Sequence, residues 1–246
     1  ANQFIPVLCG SALQNIGIQP LMDTILNCFP SPREAKPVTG VDSETTYEVA
    51  PDASLSALVF KTLADPFAGR LTFFRVYSGT LSGDSQVYNA TKEQNERIGK
   101  LSFRNGKDSI DTSQIIAGDL GVVPKLTLAQ TGDTFCQTGQ SFQLPGIEFP
   151  KPVISFAIRP AREGDDEKLT STLARMAEED PSFRVERNAM TKQLLASGLG
   201  EIHFNVIRGR MKDKFGLETE VEMPKVPYQE TIRGRARNIQ GRYKRQ

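Results

Sequence analysis

The chain has no tryptophan, a single histidine and only three cysteines in 246 residues. Cys9, Cys28 and Cys136 lack the paired spacing of a zinc site or a redox couple, so they read as core or incidental thiols of a reducing compartment. His203 has no Ser, Cys or metal-ligand set around it in the sequence, and a structural histidine with satisfied nitrogens is expected. No apolar run approaches the ~20 residues that a membrane span needs, and no signal peptide is present. The expectation is a cytoplasmic protein with no membrane partner. A G-x-x-x-x-G-K-[ST] phosphate loop and an Asn-Lys-x-Asp base-reading motif are both missing. Phosphoryl transfer needs its phosphate-binding groups assembled around the γ-phosphate. The chain by itself is therefore expected to hydrolyse no GTP, to hold no cofactor or metal, and to carry no catalytic residue.

Charge is balanced overall at +1, but unevenly spread. From Lys225 onward seven basic residues (Lys225, Arg233, Arg235, Arg237, Arg242, Lys244, Arg245) face one acid, Glu230, which gives +6 there and −5 for residues 1–224. Such a run is either a solvated tail or an RNA contact.

What is present in strength is alternation. ALVFK, LTFFRVYS and DSQVYN between Ala57 and Asn89 carry the apolar, aromatic and β-branched residues of pleated strands. The turns ADPFAG and GTLSGD between them are punctuated by Pro66, Gly69, Gly79 and Gly83. Connections this short leave no room for helices, so a small antiparallel barrel is expected. ERIGKLSF, SQII, GDLGVVPKL and GDTFCQ supply its remaining strands, to about Leu144. Residues 33–54 read as a polar linker with at most one strand.

On either side the pattern differs. QFIPVLC (residues 3–9) reads as a strand and GIQPLMDTILNCF as a helix ended by Pro30-Ser31-Pro32, a half βα unit without neighbouring strands. That orphaned unit, residues 1–30, is expected to pack irregularly on the barrel or to pair with another copy of the chain. After the stiff PGIEFPKP linker, PVISFAIR alternates as a strand, and EGDDEKLTSTLARMAEED is a helix with Leu169, Leu173, Met176 and Ala177 on one face. SFRVER and KQLLASG are strands around an Asn188 turn. GLGEIHFNVIRGRMKDKFG is a second helix, with Leu199, Ile202, Val206, Met211 and Phe215 as its expected face and Gly216 as its stop. LETEVEM closes a βαββαβ, ferredoxin-like order. Arg159, Arg162 and Gly164 after its first strand suggest a phosphate cradle, but Glu163, Asp165, Asp166 and Glu167 beside them would repel a phosphate.

The run through Phe60-Lys61, Asp65-Pro66, Gly69, Leu71 to Leu81, Gly83, Val87-Tyr88-Asn89 and Lys92 closely resembles the second domain of the translational GTPases, elongation factor G most of all. EEDPSFRV and SGLGEIHFNVI resemble its third domain, and the Tyr228-to-Ile232 run resembles the strand that opens its fourth. The resemblance divides the chain into a GTPase-domain remnant (1–32), a β-barrel (33–146), a ferredoxin-like domain (147–224) and the start of a fourth domain (225–246). The fold class is multidomain α+β, and the chain is expected to be a piece of a longer protein. Ser11 and Ala12 match the loop that lies against the guanine base in the parent, where GTP or GDP and Mg belong to the missing portion. The resemblance further implies a ribosome-dependent GTPase that moves tRNA and mRNA, with small-subunit RNA and ribosomal proteins as partners and residues 145–152 as a pivot. Arg75, Lys92 and Arg97, with Lys100 and Arg104, are then either RNA-contacting or a solvated basic face. FRNGKDSID stands where the family carries an Arg-, His- and Asn-rich run, which points toward an elongation-factor-G-like paralogue. Other readings are a ribosomal-protection or release-type GTPase, a free-standing RNA-binding module and a small phosphatase.

Overall fold

Two compact units, Ala1–Phe149 and Pro150–Gln246, make up the chain. The computed structural model describes residues 5–34, 36–42, 44–65, 69–106, 108–234, 237 and 240–244. Phe4 of the expected first strand, Pro66 of the first barrel turn, and Arg235 and Arg245 of the basic run lie outside the described residues.

In the first unit a helix, α1 (Ile18–Cys28), precedes twelve strands. They are β1 (Val38–Thr39), β2 (Thr46–Tyr47), β3 (Ser56–Asp65), β4 (Gly69–Ser78), β5 (Thr80–Ser82), β6 (Gln86–Asn89), β7 (Gln94–Arg97), β8 (Leu101–Asn105), β9 (Asp108–Thr112), β10 (Gln114–Ile116), β11 (Leu120–Pro124) and β12 (Thr134–Cys136). Eight of these form one sheet in the order β7-β6-β12-β3-β4-β11-β8-β9, while β5 pairs with β10 and β1 with β2. Period-two alternation decides which side chains go in. Along β4, Thr72, Phe74, Val76 and Ser78 are buried, and Phe73, Arg75 and Tyr77 between them are half-buried on the other face. Phe74 and Val76 join Val59, Leu81, Ile98 and Phe135 in the main core. The opposite face is also covered. Leu58, Cys136, Phe142 and Leu144 form a smaller cluster with Val38, Tyr47 and Tyr77 against it, and the Tyr47 and Phe142 ring centres are 4.3 Å apart. Burial pushes the Cys136 thiol pKa up, whereas Cys9 and Cys28 are exposed.

Three parts of this unit differ from the expectation. Residues 33–54 hold a two-stranded ribbon, β1–β2, because Val38 and Tyr47 have an apolar cluster to cover. GTLSGD contains a strand, β5, whose Leu81 reaches the core. ERIGKLSF breaks into β7 and β8 around Gly99, with Ile98 fully buried at the corner. Within FRNGKDSID the strands β8 and β9 pair, Asn105 opposite Asp108, and Gly106 adopts φ 62°, as the Asn-Gly turn read there requires.

The expected strand at 4–8 is the larger correction. Residues 5–10 form no strand, and among the described residues of this segment the pairing present is an isolated bridge between Ser11 and Ile16. A strand draws its hydrogen bonds from a neighbour, and no neighbour is supplied. Helix α1 forms nonetheless, since its hydrogen bonds are internal, but it buries no residue.

The second unit contains β13 (Ile154–Pro160), α2 (Asp166–Glu179), β14 (Arg184–Arg187), β15 (Leu194–Gly198), α3 (Glu201–Phe215) and β16 (Thr219–Glu222). Its antiparallel sheet has the order β14-β15-β13-β16, the split βαββαβ arrangement. Helix α2 buries Leu169, Thr172, Leu173 and Met176, close to expectation. Helix α3 turns inward a face that matches the expected one only in part, with Met211 and Phe215 on the core as expected. Phe204, Ile207 and Met211 are buried, while Leu199, Ile202 and Val206 are exposed. Both stripes are apolar at helical spacing, and the sheet selects the one carrying Phe204, whose ring meets Phe156 of β13 edge-on at 4.8 Å. The helix stops where Gly216 takes the left-handed conformation at φ 59°. Residues 223–234 contain no strand, so the strand implied at Tyr228–Ile232 is absent.

Candidate nucleic-acid interface and neighbouring sites

The expected RNA-contacting cations do not share one environment. Arg75 lies on the outer face of β4, between Leu58 of β3 and Leu120 of β11. Its guanidinium sits 5.1 Å from the centre of the Tyr77 ring, a cation–π arrangement. It lines a small cavity of about 50 Å³ with Pro32, Lys36, Val38, Val49 and Gly118. Arg75 is therefore a packing side chain, with its Nε buried and without a hydrogen-bond partner.

Lys92 and Arg97 are exposed and belong to the β6–β7 hairpin. Arg97 stands opposite Gln86 at the end of β7, and Lys92 is in the turn. The Lys92 ammonium donates to Oε1 of Gln130 at 2.8 Å, and its backbone N–H donates to Oδ1 of Asn89 at 3.1 Å. Among the described residues neither cation is in an ion pair with a carboxylate. Lys100 is exposed between β7 and β8, and Arg104 is half-buried on β8. Thus Lys92 and Arg97 share one hairpin, β6–β7, and Arg75 lies on β4, three strands from β6 in the sheet order.

Loop 125–133 beside Lys92 was not legible in the sequence. Lys125 adopts φ 64° there. Buried Asp133 accepts, on one oxygen, the side-chain N–H of buried Asn89 and the backbone N–H of Gln130, both at 2.9 Å. Turn and loop are thereby tied together by groups 44 residues apart in the chain. The one local signal is Glu96, an acid at a core-facing position of a strand, where an unpaired charge is costly.

Ser11 and Ala12 lie in a tight loop. The amide of Ser11 donates to the Ile16 carbonyl and the amide of Ile16 to the Ser11 carbonyl, each at 3.0 Å. Asn15 and Gly17 have φ 55° and 76°. Both backbone polar groups of Ser11 are thus engaged within the loop.

In the second unit His203 has both ring nitrogens bonded. The amide of Leu199 donates to Nδ1 at 3.1 Å, which leaves Nε2 to donate to Oδ2 of Asp180 at 2.9 Å. Burial acts to raise the Asp180 pKa, but the hydroxyl and amide of Ser182 together with His203 outweigh it and hold the carboxyl below its ordinary range. Arg159 of the suggested cradle pairs with Glu220 at 2.7 Å. Among the described residues no three His, Cys, Asp or Glu side chains are grouped to hold a metal ion, and no helix is long and apolar enough to cross a membrane.

Residues 54–138 match the family Elongation factor G domain 2, and residues 149–223 match Elongation Factor G, domain III. A protein of Thermus thermophilus, known from its crystal structure, superposes with a TM-score of 0.69 at 31% identity over 87% of this chain. The chain spans 30% of the length of that relative. The barrel corresponds to the first match and the βαββαβ unit to the second, in that order along the sequence and over well over half of it. The chain belongs to the elongation factor G family, of which it carries the second and third domains.

Proposed function

We propose that this chain is the ribosome-docking and domain-coupling part of a GTP-hydrolysing translation factor that promotes tRNA and mRNA movement. The observation that carries the reading is the succession of the two matched domains, the barrel bearing two unpaired exposed cations on one hairpin. In this reading Lys92 and Arg97 meet backbone phosphates of small-subunit RNA, contacts indifferent to base sequence and weakened by salt. The third domain passes the nucleotide state onward by rigid-body displacement. GTP or GDP and Mg bind in a separate domain of the whole factor, and Ser11-Ala12 borders the guanine base there. The cytoplasm is the corresponding location.

Co-sedimentation of the chain with purified small and large ribosomal subunits tests the docking. The expected result is salt-sensitive association with the small subunit, and equal or absent association with both subunits would refute it. Calorimetry with excess GDP is expected to show no saturable heat. A clear isotherm would place nucleotide-binding groups in this chain.

A further inference from the structure

Glu96 occupies a core-facing position of β7 and is 5% exposed. One of its oxygens, Oε1, accepts the backbone N–H groups of Thr127 at 3.0 Å, Leu128 at 2.9 Å and Ala129 at 3.4 Å. Its other oxygen, Oε2, is buried with no hydrogen-bond partner. Successive amides converging on one point form a concave anion site, and here the anion is the chain's own carboxylate. From β4, which pairs with the strand β11 that leads into this loop, Arg70 donates to the carbonyls of Thr127, at 3.3 Å, and Ala129. The loop is therefore held by an anion at its amides and a cation at its carbonyls.

The next residue is Gln130, whose Oε1 receives the Lys92 ammonium. The Gln130 amide goes to Asp133, which also binds Asn89, and Asn89 in turn accepts the Lys92 backbone N–H. Lys92 is held at its backbone and at its side-chain tip by neutral carboxamides. This fixes its direction without cancelling its charge.

We propose that Glu96 is a positioning residue, which shapes loop 127–130 so that Gln130 aims the Lys92 ammonium outward at a phosphate. The inference rests on the docking reading above, and it names the buried group that pre-organises that contact. Holding a long side chain in place before binding lowers the ordering cost of association.

The test uses the full chain and two readouts. Amide hydrogen exchange at 127–129 and NMR mobility of the Lys92 ammonium report the clamp without any RNA. The affinity for small ribosomal subunits at fixed salt, with its salt slope, reports the contact. Gln130→Ala, an exposed change, is expected to free Lys92 and to weaken binding several-fold at fixed salt with the slope kept, whereas Lys92→Ala lowers the slope by about 1 and leaves Gln130→Ala nothing further to weaken. Glu96→Ala is expected to accelerate exchange at 127–129 by more than about tenfold, with the same several-fold loss of affinity, and added formate should reverse both. Glu96→Gln keeps an acceptor oxygen without its charge and should give an intermediate rise in exchange. If Glu96→Ala does not fold, Glu96→Gln and Gln130→Ala decide. Exchange and Lys92 mobility unchanged in the Glu96 variants, or a Lys92 ammonium already mobile in the parent chain, overturn the proposal. If binding has no salt dependence in any form, the docking reading fails, while Lys92 mobility in the variants still decides whether Glu96 aims it.

Discussion

The first unit contains two apolar stretches with opposite fates. Between Ala57 and Asn89, Ala57, Val59, Phe74, Val76, Leu81 and Val87 are nearly or completely buried. Between Ile5 and Phe29, Leu13, Leu26 and Ile5 are at least 78% exposed, and helix α1 buries nothing. The two stretches differ in what they are given to pack on. Each barrel strand is hydrogen-bonded to another strand that also supplies the facing side chains. The N-terminal segment meets no such surface, and its two expected elements separate accordingly. The helix persists on internal hydrogen bonds, whereas the strand, which depends on a neighbour, does not form. Apolar periodicity thus specifies which face is offered for burial, and a partner surface decides whether the offer is taken.

Substitutions on each side of this contrast should behave unequally. The largest loss is expected for Phe135→Ala, at a fully buried position of the barrel core, which should cost about 3–5 kcal/mol in denaturant unfolding. The same rule can be checked within one helix of the second unit. Ile207→Ala, on the buried face of α3, is expected to cost about 2–5 kcal/mol, while Ile202→Ala, 80% exposed on the other face, should stay within about 0.5 kcal/mol. Equal effects would mean that neither face of α3 is preferentially packed, and a reversed order that the other face is the packed one.

A smaller effect is expected in acid. Because the Asp180 pKa is depressed in the folded chain, its carboxylate adds stability above its ordinary value of 3.8, and that stability is lost as pH falls through the lower, folded value. Unfolding of the second unit should steepen below that pH, and Asp180→Asn should flatten the acid limb at a cost of about 1–3 kcal/mol at neutral pH. The smallest effect belongs to the N-terminal segment. Leu26→Ala, or deletion of residues 1–30, should change the barrel's unfolding free energy by no more than about 0.5 kcal/mol. Sedimentation velocity on the deleted chain also tests the association expected of that segment, because any concentration dependence of the full chain should disappear with it.

Much of this was legible from residues alone, and the misses have physical causes. The strands β3, β4, β6 and β13 follow from alternation, and α2 from one dominant apolar stripe. Helix α3 carries two stripes, so periodicity could not choose between Val206 and Ile207. The short strands β5 and β9 and the ribbon β1–β2 are too brief or too polar to stand out; β5 and the ribbon form because a core or cluster adjoins them, and exposed β9 forms by pairing with β8. At the candidate interface the sequence could name cations but not sort them. Arg75 is distinguished from Lys92 by contacts across strands, and the Glu96 clamp spans more than 30 residues of chain.

That sorting of cations provides the most direct test of the docking account. Binding of the chain to small ribosomal subunits should be measured over a range of salt for the parent, Lys92→Ala, Arg97→Ala and Arg75→Ala. Each of the first two substitutions should reduce the slope of log K against log salt by about 0.7–1, the value for one lost phosphate contact. Arg75→Ala should leave the slope unchanged and lower stability instead, because its guanidinium is stacked on Tyr77. Binding indifferent to salt, or slopes unaltered by Lys92→Ala and Arg97→Ala, would contradict the claim that this hairpin is the docking surface.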